Sequence, residues 1–276
     1  MISKNLSLRI MTGLPLAAAA IWYIFGANEI IFRVITVCIG FIAYYEYGSA
    51  LKSKKVPVWF PLLFLSLILS FISFWLFLTD RNEAALVSLL VLTALITLFS
   101  ISNNARRHKL FFWYLFPILW IGLPLIIVYL LRFRVIEGKG SQLIFFLVWI
   151  AAFNDIAAYF GGKRFGKRPL APIISPKKTI EGSAFGILGG LIFGLLLIFV
   201  WMNDLFPVWK AVFIIVLVVI AAQAGDLIES KFKRYCGIKD SSGLIPGHGG
   251  LLDRIDAFLL SLPLYFGLLY MFRIIY

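Results

Sequence analysis

The sequence predicts an all-α, polytopic integral membrane protein with about nine transmembrane helices, its polar site gathered at the cytoplasmic ends of the C-terminal ones. Three observations lead there. Hydrophobic residues make up 62% of the 276 and aromatics 17%. Charged residues are only 14%, against about 25% in soluble domains. Apolar runs of roughly 20 residues, enough to cross a hydrocarbon core of about 30 Å, recur from one end of the chain to the other.

The first run, 8–25, begins after a basic start, and Ala17 to Ala20 offer the small residues of a secretory cleavage site. Because it continues apolar through Ile21 to Phe25, an uncleaved helix is expected. The run 30–47 follows, closed by Lys52, Lys54 and Lys55 ahead of Pro57, after which 58–78 is apolar again. The run 84–101 ends at Arg106, Arg107 and Lys109, and 111–131 precedes Arg132, Arg134 and Lys139. The run 143–160 carries Asp155 near its end. In 180–201, Gly182, Gly186, Gly190 and Gly194 recur every four residues, a stripe that lets another helix approach closely, favoured over a ligand groove. The runs 208–224 and 257–275 complete the set, and no stretch remains for a separate soluble domain. A single membrane domain is expected, with 1–140 as lipid-facing scaffold and 141–276 carrying two polar loops, 161–179 and 225–256. Cys38 and Cys236 lie far apart and imply no disulfide framework.

Charge placement orients the chain. Lys52, Lys54 and Lys55, then Arg106, Arg107 and Lys109, then Lys163, Arg164, Lys167, Arg168, Lys177 and Lys178 fall in alternate loops. The positive-inside rule puts those loops and the N-terminus in the cytoplasm and the C-terminus outside. The loop with Arg132, Arg134 and Lys139 runs against that pattern. The net charge of +13 suits anionic headgroups at helix ends, and no nucleic acid partner is expected.

Two loops are richer than topology requires. In 154–182, Asp155 sits within an apolar run, where an ionisable residue is costly and is a functional suspect or an interfacial carboxylate paired with Lys163 or Arg164. Pro172 and Pro176 keep 173–175 from being helical, and Thr179 with Glu181 can begin the next helix. Lys177 and Lys178 then stand at a helix N-terminus, where backbone N–H groups favour phosphate. In 225–256, Asp226, Ser230 and Lys233 or Arg234 share a helical face. After Gly237, the run Pro246-Gly247-His248-Gly249-Gly250 makes a flexible turn leading to Asp253, Arg254 and Asp256. Asp253 and Asp256, three apart, bring their Cβ atoms within about 5 to 6 Å. Two carboxylates so placed repel by about 3 kcal/mol at an effective dielectric near 20. Arg254, a lysine or a divalent metal could compensate, and spacing alone leaves the choice open.

The spaced set Ser230, Lys233-Arg234, Lys239-Asp240, Pro246, His248-Gly249-Gly250 and Asp253-Arg254-x-Asp256 resembles the signature of the phosphatidate cytidylyltransferases, the CDP-diacylglycerol synthases. The earlier loop resembles that family through Asp155 with Ala158-Tyr159, and through 175–179 with Glu181-Gly182. The likeness spans 154–258; the N-terminal half agrees in hydropathy and helix number only. Two positions depart from the pattern. Ser242 stands where relatives commonly have glycine, and Ile156 where a small hydroxyl residue is usual.

The resemblance implies transfer of the cytidylyl group of CTP to phosphatidate, giving CDP-diacylglycerol and pyrophosphate. It further implies Mg²⁺, with room for a second cation, held by Asp226, Asp253 and Asp256. Lys177, Lys178, Lys233, Arg234, Lys239 and Arg254 would bind phosphates of lipid and nucleotide. Gly249 and Gly250 would let backbone N–H groups reach an anion, Asp155 and Ser230 would contact substrate, and His248 would donate to a phosphate or shuttle a proton. A homodimer is compatible with the glycine stripe and the resemblance, and a bacterial inner membrane with the lack of eukaryotic additions. Two alternatives remain: a CTP-dependent kinase of a polyprenol-type lipid, and a transporter or membrane scaffold. A transporter would more often place ionisable residues at mid-span in two matching halves.

Overall fold

The computed structural model describes residues 4–56, 58, 60–78, 108–135, 138–202, 204–205 and 207–275. The chain runs through α1 (Lys4–Phe25), α2 (Glu29–Ser53), α3 (Phe60–Leu78), α4 (His108–Pro117), a π turn (Ile118–Gly122), α5 (Leu123–Phe133) and α6 (Gly140–Phe165). A short hairpin of β1 (Pro169–Ala171) and β2 (Ser175–Thr179) leads to α7 (Ile180–Trp201), α8 (Val208–Cys236) and α9 (Leu252–Met271). Among the described residues, six helices are long and apolar enough to cross a membrane: Glu29–Ser53, Phe112–Phe133, Gly140–Phe165, Ile180–Trp201, Val208–Cys236 and Leu252–Met271. The expected runs 8–25 and 58–78 fall on α1 and α3. The expected run 84–101 lies outside the described residues.

The π turn follows from two prolines. Pro117 has no N–H to give the Trp113 carbonyl, and Tyr47 Oη donates to that carbonyl instead, at 3.0 Å. The helix re-forms with Leu123 N donating to Ile118 O, five residues back.

Two apolar clusters hold the bundle. One gathers α5, α6, α8 and α9 around Ile127, Phe146, Ile214 and Tyr265. The other joins α2, α3 and the 114–125 stretch to the polar end of α8, through Tyr44, Tyr47, Leu63, Trp120 and Phe232. Tyr47 and Phe232 stack at 4.9 Å, with ring planes 11° apart. The N-terminal helices therefore buttress the helix that carries the polar segment.

The glycine stripe is consumed by packing within the chain. Added Cβ atoms would meet Ala158 O at 2.9 Å from Gly182, Val219 Cγ2 at 2.7 Å from Gly190, and Ile150 Cγ2 at 2.8 Å from Gly194. Helix α7 thus seats against α6 and α8, as the stripe predicts. A second copy of the chain would have to use another face.

Polar ends segregate to two faces. On one, Thr12 of α1 meets Pro246 O at 3.2 Å, Ser53 of α2 meets Cys236 O at 3.1 Å, and the β-hairpin and the 237–251 loop lie alongside. On the other, Arg132 Nε donates to Ile24 O at 2.9 Å and Lys210 Nζ to Phe272 O at 2.8 Å. Lys139 there pairs with Asp204 and holds its carboxyl below the usual carboxylate range. The N-terminal part of α1 and the C-terminal end of α9 thus lie on opposite faces.

Candidate active site

The polar segment is built from the ends of α6 and α8, the hairpin, the start of α7, the 237–251 loop and the start of α9. Helix α8 continues twelve residues past its apolar run, because Leu227, Phe232 and Cys236 keep an apolar stripe beneath the polar face. Gly237, at φ +76°, stops it in the left-handed conformation, donating to Arg234 O at 3.1 Å while Ile238 N donates to Lys233 O at 3.0 Å. The loop then tightens on itself. Ile245 N donates to Gly249 O at 2.8 Å, and Gly249 sits at φ +82°, where a side chain would be strained.

Asp253 is the most heavily bonded group of the segment. Its Oδ1 accepts from Lys233 Nζ at 2.6 Å. Its Oδ2 accepts from Gly250 N at 2.7 Å and from Ser241 N and Ser241 Oγ at 2.9 Å each. Lys233 also lies 2.5 Å from Glu229 Oε2, whose side chain is 0% exposed. A third buried carboxyl group arrives from the N-terminal half. Glu46 of α2, 2% exposed, accepts from Ser241 Oγ at 2.9 Å, Ser242 Oγ at 2.6 Å, Leu251 N at 3.0 Å and Leu252 N at 2.7 Å.

Two cavities open side by side. One, of about 430 Å³, is lined by Asp155, Asp226, Asp240, Asp253 and Asp256 with Lys233 and Arg254. The other, of about 480 Å³, is lined by Lys163, Lys177 and Lys178 with Tyr159, Ser175 and Thr179. Asp155 and Asp226 line both. At that shared wall Lys178 pairs with Asp226, and Ser230 Oγ donates to Asp226 Oδ1 at 3.3 Å. One chamber suits a cation and its neighbour suits an oxyanion.

A buried polar chain holds the wall in place. Gln223 Nε2 donates to Asn154 Oδ1 at 2.7 Å and to Ser183 O at 3.1 Å, and Ser183 Oγ donates to Gln223 Oε1. Asn154 Nδ2 in turn donates to Asp155 Oδ1 at 2.9 Å. The hairpin is fixed from both sides. Thr179 caps α7 by accepting from Gly182 N at 3.1 Å, while Glu181 accepts from Lys167 N at 3.0 Å and Arg168 Nε at 3.0 Å.

Of the expected site residues, Asp155, Lys177, Lys178, Lys233, Asp226, Asp253, Arg254 and Asp256 line one or both cavities. Ser230 stands just behind Asp226. The others have different surroundings. Arg234 donates to Ile238 O at 3.1 Å and Ile174 O at 3.4 Å, tying the hairpin to the end of α8. His248 Nδ1 lies 2.9 Å from Thr12 Oγ1 on α1, and Lys239 is exposed; neither lines either of these two cavities. Gly249 is required by its φ, and Gly250 by space, since an added Cβ would lie 2.7 Å from both Glu46 carboxylate oxygens. Sequence reasoning missed Glu46, Asn154, Ser183 and Gln223. Glu46, Asn154 and Gln223 are polar residues inside apolar runs, the same signal that singled out Asp155.

Among the described residues, no three His, Cys, Asp or Glu side chains converge as a self-sufficient metal cage. The donor set still fits a hard cation that takes one or two carboxylates and completes its shell with water and phosphate oxygens. Among the described residues, Asp256 accepts one hydrogen bond, from the neighbouring Ala257 N at 2.7 Å, and it lines the chamber that Asp155 and Asp226 also line. Asp253 Oδ1 already carries a cationic partner in Lys233.

The model of the Cytidylyltransferase family matches residues 7–272. The chain is 32% identical over 267 residues to a phosphatidate cytidylyltransferase of Bacillus subtilis, covering 96% of this chain and 97% of that one. It is 32% identical over 267 residues to the enzyme of that name from Helicobacter pylori, covering 96% and 92%. With that of Staphylococcus saprophyticus the identity is 35% over 185 residues, 66% and 68% of the two chains.

Proposed function

Because the chain belongs to the cytidylyltransferase family, we propose that it transfers the cytidylyl group of CTP to phosphatidate, forming CDP-diacylglycerol and releasing pyrophosphate. An oxygen of the lipid phosphate monoester attacks the α-phosphorus of CTP, and the bond to the bridging oxygen of the β-phosphate breaks. No covalent protein intermediate is needed, so the protein's work is positioning and charge neutralisation. The observation that carries this reading is the pair of adjoining chambers, one acidic and one basic, sharing Asp155 and Asp226 as their wall. A transfer between two phosphates calls for both kinds of environment side by side.

Lys177 and Lys178, with Lys163, receive phosphate oxygens in the basic chamber. Arg254 does so from the acidic side, and Lys233 keeps the buried carboxylates Glu229 and Asp253 compensated. A magnesium ion held by Asp226, Asp253 and Asp256 would neutralise the triphosphate there. Lys178, paired with Asp226, is placed to exchange that carboxylate for a substrate phosphate when one arrives. Asp155, oriented by Asn154, faces both substrates and excludes their approach from the wrong side by like-charge repulsion.

The site face is read as cytoplasmic and the membrane as a bacterial inner membrane, with the N-terminus inside. Two observations support this. Lys52, Lys54, Lys55, Lys163, Arg164 and Lys167 are exposed on the site face, whereas on the opposite face Arg33 is tied to Glu29 and Lys139 to Asp204, leaving fewer exposed basic groups there, Arg273 among them. CTP is cytosolic, and a phosphatidate headgroup lies at that interface. The deciding assay is purified protein in detergent with phosphatidate, labelled CTP and Mg²⁺. CDP-diacylglycerol and pyrophosphate in equal amounts are expected; a phosphorylated lipid in their place would sink the proposal in favour of a kinase.

A further inference from the structure

We infer that Glu46, in the N-terminal half, is a positioning residue for the transfer: it fixes the 241–252 segment and thereby sets the places of Asp253 and Asp256. This rests on the nucleotidyl-transfer reading of the site. A carboxylate inside an apolar run is costly, and it persists only where its surroundings repay desolvation. Here four donors do so, and among the described residues all its hydrogen-bond partners are neutral. The set suits an acceptor at both oxygens, which a carboxylate is and an amide is not.

What Glu46 holds is the entrance to α9. The first N–H groups of a helix have no partner within it, and the residue at the start of α9, Leu251, offers no side-chain cap. Glu46 takes the Leu251 and Leu252 N–H groups from another helix, placing negative charge at the positive end of α9. The next residue is Asp253. The Ser241 hydroxyl stands 2.9 Å from both Glu46 Oε2 and Asp253 Oδ2, with one proton to share between them. Glu46 is thus one hydroxyl away from a proposed cation ligand.

Two features of the signature acquire a cause. Gly250 leaves the room that Ser241 and Glu46 fill together, since a Cβ there would fall 2.7 Å from each Glu46 carboxylate oxygen and closer still to Ser241 Oγ. Ser242, where the resembling family commonly has glycine, donates to Glu46 Oε1 at 2.6 Å and accepts from Leu244 N at 3.2 Å. The departure adds a fourth donor to the clamp. Tyr47, next along α2, serves packing only, through its ring on Phe232 and its hydroxyl on Trp113 O.

The test uses the full chain in detergent and compares Glu46→Gln, Ser242→Ala, the double variant and Tyr47→Phe for kcat, KM and hydrogen exchange at 250–252. Glu46→Gln turns an NH₂ toward donors, and a displacement near 1 Å at Asp253 costs about 10- to 100-fold in kcat. Ser242→Ala is expected to lower kcat about threefold, the loss of one hydrogen bond, and to have no further effect once Glu46 is Gln. Both should speed exchange at Leu251 and Leu252. Tyr47→Phe should lower thermal stability and leave kcat alone. The inference is overturned if folded Glu46→Gln retains wild-type kcat, or, where that variant does not fold, if Ser242→Ala changes neither kcat nor exchange. Wild-type protein without transfer activity would instead overturn the reading of the site, and the exchange data would still decide whether Glu46 holds the loop.

Discussion

Lys233 Nζ stands 2.6 Å from Asp253 Oδ1, both side chains buried, and the same ammonium lies 2.5 Å from the fully buried Glu229. One ammonium thus lies between two buried carboxyl groups at the point where α8 and α9 meet. Removing one member of such a group leaves uncompensated charge in a low-dielectric place, which costs about 3–5 kcal/mol. Lys233→Met is expected to lower stability by that amount and to abolish turnover. Glu229→Gln, which leaves the Lys233–Asp253 pair intact and keeps the shape, should cost far less. Thermal unfolding of the two variants in the same detergent checks the difference.

The bonding of Asp253 changes which carboxylate best tests for a cation. Asp253→Asn would turn an NH₂ toward Lys233 or toward the Ser241 and Gly250 donors, so it should disorder the loop as well as stop the reaction. Asp256 carries one hydrogen bond, from the neighbouring Ala257 N. Asp256→Asn should therefore fold with a stability within about 1 kcal/mol of wild type. Its activity should fall by at least about 10²-fold, with the Mg²⁺ dependence moved to higher concentration. Normal activity at low Mg²⁺ would remove Asp256 from the cation site.

Lys177 and Lys178 are adjacent in sequence but unequal in place. Lys178 is half-buried and paired with Asp226 on the wall between the chambers, while Lys177 is exposed at the rim of the basic one. A charge-assisted hydrogen bond to phosphate is worth about 1.5–3 kcal/mol. Lys178→Ala is expected to lower kcat/KM by about 10- to 100-fold, chiefly through KM for a phosphate-bearing substrate. Lys177→Ala should lower it less. Steady-state kinetics varying CTP and phosphatidate in turn would show which substrate each lysine meets.

The membrane class and the two polar loops could be read from the sequence because each leaves a local mark, as apolar run length or as a cluster of charges and glycines. The pairing of residues four apart, as in Asp226 with Ser230, follows from helical geometry alone. What was not legible came from long-range approach. Glu46 lies 195 positions from Ser241, and only the fold shows that α2 reaches the loop. His248 stands in a glycine-rich turn; its Nδ1 lies beside Thr12 Oγ1, 236 positions away, a contact that only the fold shows. Arg234 is spaced for the polar face, yet carbonyls at the end of α8 and in the hairpin occupy it.

The polar chain behind the wall offers a test that separates packing from positioning. Gly186 and Gly190 belong to one stripe, and a Cβ on either would crowd its neighbours. From Gly186 it would lie 2.9 Å from Gln223 Nε2 and closer still to Asn154 Oδ1, the group that orients Asp155 through its other amide atom. From Gly190 it would meet Val219 Cγ2 at 2.7 Å, and the nearest polar atom is a backbone carbonyl, Ile150 O at 3.6 Å, not a side chain of the polar chain. Overpacking of either kind costs about 1–3 kcal/mol. Gly186→Ala and Gly190→Ala are therefore expected to lose similar stability, while only Gly186→Ala also loses kcat, because it parts Asn154 from Gln223 and frees Asp155 to turn. Equal kcat in the two variants, at matched folded fractions, would reduce the Asn154–Gln223–Ser183 chain to a packing device.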